Sequence, residues 1–440
     1  MSISQNINTK LINFIQKKIC ILGYGIENQA LVEFLVKKKI DCEITICDLR
    51  KDTECPIGHS VSWHTGKDYD KNLDKFDIIF RVSGYPLFSS QIKKAKKAGV
   101  EISSAIKLFF KICPTKNIIG ITGTKGKGTT ASLIYNIINN NINNSIHTYF
   151  GGNIGIPVFS FLDKIKKDDW VVLELSSFQL EDLNISPKIS VITNFSKEHL
   201  SPADPKNPNY HKTLKNYWDA KFNIAKFQTK NNFLILNKKL QNKVKNKKIN
   251  SKLKYFNKSN LKSKLIGEHN KENIASAIMV AEILKIKKDI IKNVVKNFKG
   301  LEYRLQFIKE KNNIKYYNDS FATTPEATIT ALKSFSDPVI ILLGGADKGS
   351  DFKQLAKIIK QKTKFVVLFK GTAQNKIVKE LEKIKYSQKN IKIADNMKNA
   401  MKIAKQNSIA GDIILLSPAC ASFGIFKNYK ERGKLFNKKI

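Results

Sequence analysis

One stretch constrains this chain more than any other. An apolar run, Ile118-Ile119-Gly120-Ile121-Thr122, breaks into Gly123-Thr124-Lys125-Gly126-Lys127-Gly128-Thr129-Thr130 and resumes as Ala131-Ser132-Leu133-Ile134. The pattern reads as a strand, a phosphate loop and a helix start. Glycines at 123, 126 and 128 let successive backbone N–H groups turn toward an anion, Lys127 adds a positive charge, and the helix N-terminus adds its dipole. The expected ligand is a nucleoside triphosphate, contacted by Gly123 through Thr130. The spacing departs from the common phosphate loop, because Gly120 sits one position early and Gly128 stands where a Ser or Thr usually follows the lysine. The hydroxyl that reaches Mg²⁺ must then come from Thr129 or Thr130. A glycine-rich turn in a sheet protein is the plainer alternative, and the strand, the lysine and the helix around it argue against that.

A chain of 440 residues exceeds what one core organises and implies several domains. With 42% hydrophobic and 10% aromatic residues, folded cores are expected rather than disorder. No apolar run has the length of a membrane span, and Met1 to Lys18 lacks the compact apolar segment of a secretory signal, so a soluble cytoplasmic protein is expected. The six cysteines are dispersed without a C-x-x-C pair, which suits buried free thiols and suggests no zinc site. The net charge of +40 would suit nucleic acid or an acidic membrane surface. The lysines are spread along the whole chain among many Asn and Ile residues, however, as a coding bias would produce. Only Lys238 to Lys264 is locally basic, and it reads as a solvated face.

Taken in order, Lys18 to Leu22 predicts a first buried strand, followed by the turn Gly23-Tyr24-Gly25-Ile26-Glu27-Asn28 and a helix. Ile44 to Asp48 is the next strand, with Asp48 near the place of a ribose-binding acid in a dinucleotide fold. Asn28 replaces the third glycine, so a nicotinamide cofactor is disfavoured. Asp77 to Phe80 leads into a turn with Ser83 and Gly84, where ligands of open α/β sheets gather. Phe150 to Pro157 reads as a glycine loop outside the core. Trp170 to Ser177 reads as an apolar strand carrying Glu174, a candidate Mg²⁺ ligand beside the phosphate loop. Ile189 to Asn194 and Phe233 to Asn237 are further strands, and the loop between them carries His199, a candidate ligand just past a strand end. Ile314 to Asn318, Val339 to Leu343, Phe365 to Phe369 and Ile413 to Leu416 predict another sheet.

These motifs, in this order, resemble the Mur ligase family, and within it the glutamate-adding branch. The resemblance is carried by Gly120 to Thr130, Gly151 to Pro157, Leu173 to Glu181, Thr193 to His199, Gly267-Glu268-His269-Asn270, Gly300 to Arg304, Asn318-Asp319-Ser320, and Leu415 to Ser422 with Phe426 to Tyr429. It implies an α/β protein of three domains: Rossmann-like at 1–114, a central P-loop ATPase domain at 115–300, and a second Rossmann-like domain at 301–440. It further implies an ATP-dependent ligase that joins glutamate, most often the D-enantiomer, to UDP-N-acetylmuramoyl-L-alanine through an acyl phosphate in peptidoglycan precursor synthesis. Gly25, Asp48, Ser83 and Gly84 would hold the UDP end of that substrate and Asn153 its muramoyl-alanine part. Lys127, His199 and Lys221 would be catalytic. Two Mg²⁺ ions are implied, with Thr129 and Glu174 serving one, and His199 and a Lys221 carbamylated by CO₂ serving the other. Asn270 and Asn273 would contact adenine, Arg304 and Asp319 the phosphates and ribose of ATP. Thr323, Lys348, Ser422 and Tyr429 would hold glutamate. A monomer is expected, with neither nucleic acid nor membrane insertion, and with domain closure during turnover.

Three differences from the family pattern stand out. Gly128 follows the loop lysine, as in folate polyglutamate ligases. Phe321 occupies the place where the common D-glutamate enzymes carry a lysine, so L-glutamate is an alternative substrate. The segment from His199 to Lys221 is lengthened and contains Pro202, Pro205 and Pro208. A folate polyglutamate ligase is opposed by the N-terminal Rossmann-like domain. A nucleic-acid-binding ATPase is opposed by the lack of an aromatic and basic stacking strip.

Overall fold

The computed structural model describes residues 11–50, 61–141, 146–202, 208–347 and 349–440. Three sheets lie within residues 18–103, 118–256 and 306–416, the first of five strands and the others of six. By contact the described chain falls into two compact units, residues up to 259 with 272–291, and 260–271 with 292–440.

The first sheet runs Val61–Thr65, Glu43–Asp48, Lys18–Leu22, Ile78–Arg81, Glu101–Ser103, with all neighbours parallel. The second runs Lys252–Phe256, Phe233–Asn237, Ile189–Ile192, Ile118–Thr122, Trp170–Glu174, Thr148–Gly152, and is also parallel throughout. The third runs Gln306–Lys311, Ile314–Asn318, Ile413–Leu416, Val339–Leu343, Thr363–Phe369, Ile391–Ala394, with only the first pair antiparallel. Interior strands such as Ile118–Thr122 and Val339–Leu343 are buried at every residue. Parallel strands covered on both faces need side chains that tolerate burial on both, and unbroken Ile, Val and Leu runs supply them.

One apolar core joins the first two sheets, holding Ile19 and Phe109 together with Val171 and Leu173. Phe34 meets Phe159 with ring centroids 5.0 Å apart, and Phe109 meets Phe161 at 6.3 Å. Arg81, fully buried at the end of its strand, donates to Tyr85 O at 2.5 Å and to Phe178 O of the second sheet's domain at 3.2 Å. Glu181 and Asp182 lie 3.9 and 3.6 Å from the same guanidinium. These contacts tie the N-terminal sheet to the residues of the second sheet's domain.

The stretch read as a glycine loop from Phe150 onward begins instead as an edge strand, Thr148–Gly152. Gly152 and Gly155 take positive φ, 94° and 87°, as the loop reading expects, but Gly151 and Gly152 lie within the strand. These two also permit close approach, since a Cβ on Gly152 would fall 2.3 Å from Glu174 O and one on Gly151 2.7 Å from the Phe161 ring. Cys20, Cys42, Cys47, Cys113 and Cys420 are free thiols, and Cys55 lies outside the described residues. Among the described residues no helix is long and apolar enough to cross a membrane.

Candidate active site

The phosphate loop leaves the carboxyl end of Ile118–Thr122 and enters the helix Lys127–Asn139, capped by Gly126 at φ 79° without any side-chain hydrogen bond. The loop is clamped from the neighbouring strand's end. Thr193 Oγ1 donates to Lys125 O at 2.7 Å, and Asn194 accepts from Lys125 N and donates to Lys125 O, each at 2.8 Å. Two glycines are obligatory: a Cβ on Gly123 would fall 2.0 Å from Thr193 Oγ1, and one on Gly126 2.2 Å from Asn273 Oδ1. Thr124 meets Tyr217, hydroxyl to hydroxyl, at 3.2 Å. Lys125 is exposed and Gly128 is buried in the first turn.

The two threonines left open by the sequence have different surroundings. Thr130 is fully buried, and its hydroxyl lies 3.4 Å from both Asn273 Oδ1 and Ser276 Oγ. Thr129 is half-buried in the first helical turn, which favours its hydroxyl for a metal.

Two lysines converge on one carbonyl. Lys127 Nζ donates to Gly123 O and Thr124 O, both at 3.1 Å, and Lys221 Nζ donates to Gly123 O at 2.7 Å. Lys221, from the helix Leu214–Lys226, is 1% exposed and lies 4.5 Å from the Tyr217 ring centroid. Burial, and then the Lys127 charge, hold its ammonium well below the ordinary lysine range. Glu174 is also buried. Its Oε1 accepts from Asn153 Nδ2 at 3.0 Å, while Oε2 has no hydrogen-bond partner among the described residues. A buried carboxylate oxygen without a partner is costly unless a cation completes it, so Glu174 fits a divalent ion. Among the described residues no three His, Cys, Asp or Glu side chains cluster as a metal cage. Mg²⁺ does not require one, since it binds through one or two carboxylates, waters and substrate phosphates.

His199 sits at φ 58°, its ring edge against Phe178 (5.2 Å) and Tyr217 (5.7 Å). Burial, supported by the Lys221 and Lys127 charges, lowers its pKa against the pull of Glu198, 3.9 Å away. Sequence reasoning missed His211. It stacks on Phe178 with centroids 4.7 Å apart and planes within 6°, its Nε2 lies 2.9 Å from Ser177 Oγ, and its backbone N–H donates to His199 O at 2.8 Å. Burial pushes its pKa down to about 4, with His199 and Lys221 adding to the shift. Nothing in the spacing of the lengthened segment marks it, and residues 203–207, including Pro205, lie outside the described residues.

At the carboxyl edge of the N-terminal sheet Asp48 is the last residue of its strand, and Gly25, Ser83 and Gly84 follow strand ends. Asp48 is engaged internally: Tyr24 N donates to Oδ2 at 2.6 Å, and Arg50 donates to Oδ1 at 2.8 Å and Oδ2 at 2.9 Å. Burial raises its pKa, and the Arg50 and backbone bonds outweigh that, for a net lowering. Arg50, which sequence reasoning passed over, is the group Asp48 presents. Asn28 donates to Gly23 O (2.7 Å) and Phe80 O (3.2 Å), and this explains its place where a third glycine was expected. Asn209 Nδ2 donates to Ser83 O at 2.7 Å.

In the second compact unit Asp319 accepts from Leu305 N at 3.0 Å and from Ser417 Oγ at 2.8 Å. Burial pushes its carboxyl up to about 7, although those bonds and Arg304 oppose the shift. Asn270 Nδ2 donates to Ile266 O at 2.7 Å, in the first turn of Glu268–Ile283. Thr323 and Ser422 lie on loops after strands, and Tyr429 begins the helix Tyr429–Lys439. Arg432, fully buried in that helix, donates to Ser320 Oγ (3.0 Å), Ser320 O (2.8 Å) and Cys420 O (3.3 Å), binding the two loops together. Lys348 lies outside the described residues.

Residues 17–104 match the Mur ligase MurD-like N-terminal domain, 121–260 the Mur ligase middle domain, and 303–420 the Mur ligase glutamate ligase domain. The chain is 37% identical to a UDP-N-acetylmuramoylalanine–D-glutamate ligase of Clostridium botulinum strain Kyoto, covering 97% of each sequence. It is 37% identical to the enzyme of that name from Clostridium tetani, covering 96% of this chain and 95% of the relative. Among solved structures it resembles the UDP-N-acetylmuramate-alanine ligase MurC of Thermotoga maritima, at TM-score 0.55 and 17% identity over 96% of this chain and 99% of the other. It also resembles MurF of Thermotoga maritima in complex with ADP, at TM-score 0.56 and 16% identity over 97% and 96%. At such low identity these two likenesses establish the fold alone.

Proposed function

The chain belongs to the Mur ligase family, and from that premise we propose that it joins D-glutamate to UDP-N-acetylmuramoyl-L-alanine at the expense of ATP, in peptidoglycan precursor synthesis. The observation that carries this reading is the convergence of Lys127 and Lys221 on Gly123 O, in the domain whose buried Glu174 keeps one oxygen without a hydrogen-bond partner among the described residues. Bringing a substrate carboxylate up to a γ-phosphate gathers several negative charges, and such a site must offset them. The open N–H groups of the first helical turn and Lys127 would take the phosphates. Substrate carboxylate and phosphate form the acyl phosphate with release of ADP. Attack by the glutamate amine then forms the amide and releases inorganic phosphate.

Thr129 and Glu174 would hold one Mg²⁺, and His199 with a modified Lys221 a second. When bound, these ions offset the repulsion between the carboxylate and the phosphate oxygens. Lys221 suits the modification because burial favours its neutral amine, the form that reacts: the amine nitrogen bonds to the carbon of CO₂, one proton leaves, and a carbamate anion remains. Asn153 would orient the muramoyl-alanine substrate while holding Glu174. Gly25, Ser83 and Gly84, with Asp48 acting through Arg50, would hold the UDP end. Asn270, Asn273, Arg304 and Asp319 would serve ATP, and Thr323, Lys348, Ser422 and Tyr429 glutamate, whose two carboxylates suit a cation and hydroxyls. The named relatives favour the D-enantiomer. Since ATP and a nucleotide-linked precursor are both needed, the reaction is assigned to the cytoplasm, and one copy of the chain carries every residue named, as a monomer would.

Phosphate release from the purified chain tests this reading. Release that requires UDP-N-acetylmuramoyl-L-alanine and D-glutamate together supports it. Release driven by L-glutamate alone of the two enantiomers overturns the stereochemical part, and release stimulated instead by a folate or by single-stranded DNA overturns the whole.

A further inference from the structure

We propose that Phe321 is a positioning residue that sets the orientation of Arg304 and couples it to Tyr429. The proposal rests on the reading above in one respect, that Arg304 serves the nucleotide and Tyr429 the incoming amino acid.

Phe321 is 40% exposed, far more than a ring placed there for core packing. Its backbone is nevertheless fixed, since its N–H donates to Tyr303 O at 2.9 Å and Ser320 before it is held by Arg432. The Arg304 guanidinium carbon lies 4.0 Å from the ring centroid of Phe321. The same ring meets Tyr429 edge-on, with centroids 5.0 Å apart and planes at 88°, and Tyr303 closes the group at 6.3 Å from Tyr429.

A guanidinium attracted to a ring face spends its π surface and keeps its in-plane N–H fork for an anion. No hydrogen-bond acceptor among the described residues takes that fork, so Arg304 is oriented without being consumed. A flexible arginine on a loop would lose rotamer freedom when a phosphate binds, and the ring removes part of that loss beforehand. Because the ring also abuts Tyr429, movement at the amino-acid side is transmitted to the phosphate side. A lysine at 321 could do neither, since it would set two like charges together and present no ring to Tyr429.

The test is steady-state kinetics on the full chain with Phe321→Leu, Phe321→Trp, Arg304→Ala and the double variant Phe321→Leu/Arg304→Ala, with thermal midpoints recorded alongside. Phe321→Leu is expected to raise KM for ATP about two- to five-fold, the worth of one exposed cation–π contact, and KM for glutamate in the same direction, with kcat little changed. Phe321→Trp, which keeps the π face, is expected to restore both. In the double variant the ATP effect should equal that of Arg304→Ala alone. Equal losses in the Leu and Trp variants, or independent multiplication of the two losses in the double variant, would overturn the proposal. So would a fall in kcat and thermal midpoint with KM unmoved, which marks a merely structural ring. If Arg304→Ala leaves KM for ATP unchanged, the placement of Arg304 at the nucleotide is what fails. If Arg304→Ala raises it and Phe321→Leu does not, the role of Phe321 fails alone.

Discussion

Lys127 and Lys221 lie 94 positions apart in sequence, yet both donate to the carbonyl oxygen of Gly123, at 3.1 and 2.7 Å. Burial first, and then the charge of Lys127 on the shared acceptor, hold the Lys221 ammonium well below the ordinary lysine range. Under the proposed function it is the amine that takes up CO₂. Lys221→Ala is expected to lower kcat by roughly 100-fold or more, and small carboxylates such as acetate should restore part of the loss. Enzyme equilibrated with ¹³C-bicarbonate should show one carbamate carbon by NMR that Lys221→Ala lacks.

Gly152→Ala tests the contact between the edge strand and Glu174. The new Cβ would meet Glu174 O at 2.3 Å, at φ 94°, and backbone on both sides leaves no flexible side chain to move aside. We expect a stability loss of about 1–3 kcal/mol and a raised Mg²⁺ requirement. Urea unfolding and a Mg²⁺ titration of activity measure the two effects separately.

Asp319 imposes a pH dependence whose sign is fixed. Its folded-state pKa of about 7 lies above its ordinary value of 3.8. The folded state therefore binds the extra proton, and the contribution to stability is complete below about pH 4 and lost as pH rises through about 7. The change is at most about 4 kcal/mol. Asp319→Asn should flatten that part of the pH–stability curve, read as thermal midpoints between pH 4 and 8, and should impair ATP binding.

Arg432 ties the Ser320 and Cys420 loops from inside. Arg432→Met keeps much of the volume and leaves two buried carbonyls and a hydroxyl short of a donor. A loss of about 2–4 kcal/mol is expected, with KM for glutamate rising more than KM for UDP-N-acetylmuramoyl-L-alanine. Denaturant titration and KM values for each substrate check both parts.

How legible this was in the sequence follows the physics of burial. The interior strands of all three sheets, such as Val339–Leu343 and Ile413–Leu416, are the ones read from apolar runs. The six edge strands were passed over. Lys252–Phe256 alternates exposed and half-buried residues up to a buried Phe256, and Gln306–Lys311 is half-exposed and bulged between Phe307 and Lys309. An edge strand has water along one side and carries polar residues that mimic a loop. Within the site, Lys127 and Glu174 were visible because strand ends and glycines announce them. His211 and Arg50 were not, since their roles arise from stacking on Phe178 and pairing with Asp48, and contacts between distant segments leave no local pattern. Phe321 was visible as a departure from the family pattern, but its contact with Arg304 was not.

The most direct test of the central claim follows one oxygen atom. UDP-N-acetylmuramoyl-L-alanine labelled with ¹⁸O in its alanine carboxylate is turned over with ATP and D-glutamate, and the inorganic phosphate is analysed by mass spectrometry. Activation of that carboxylate as an acyl phosphate transfers one labelled oxygen to phosphate for each amide formed. Amide formed while the phosphate stays unlabelled would contradict the account.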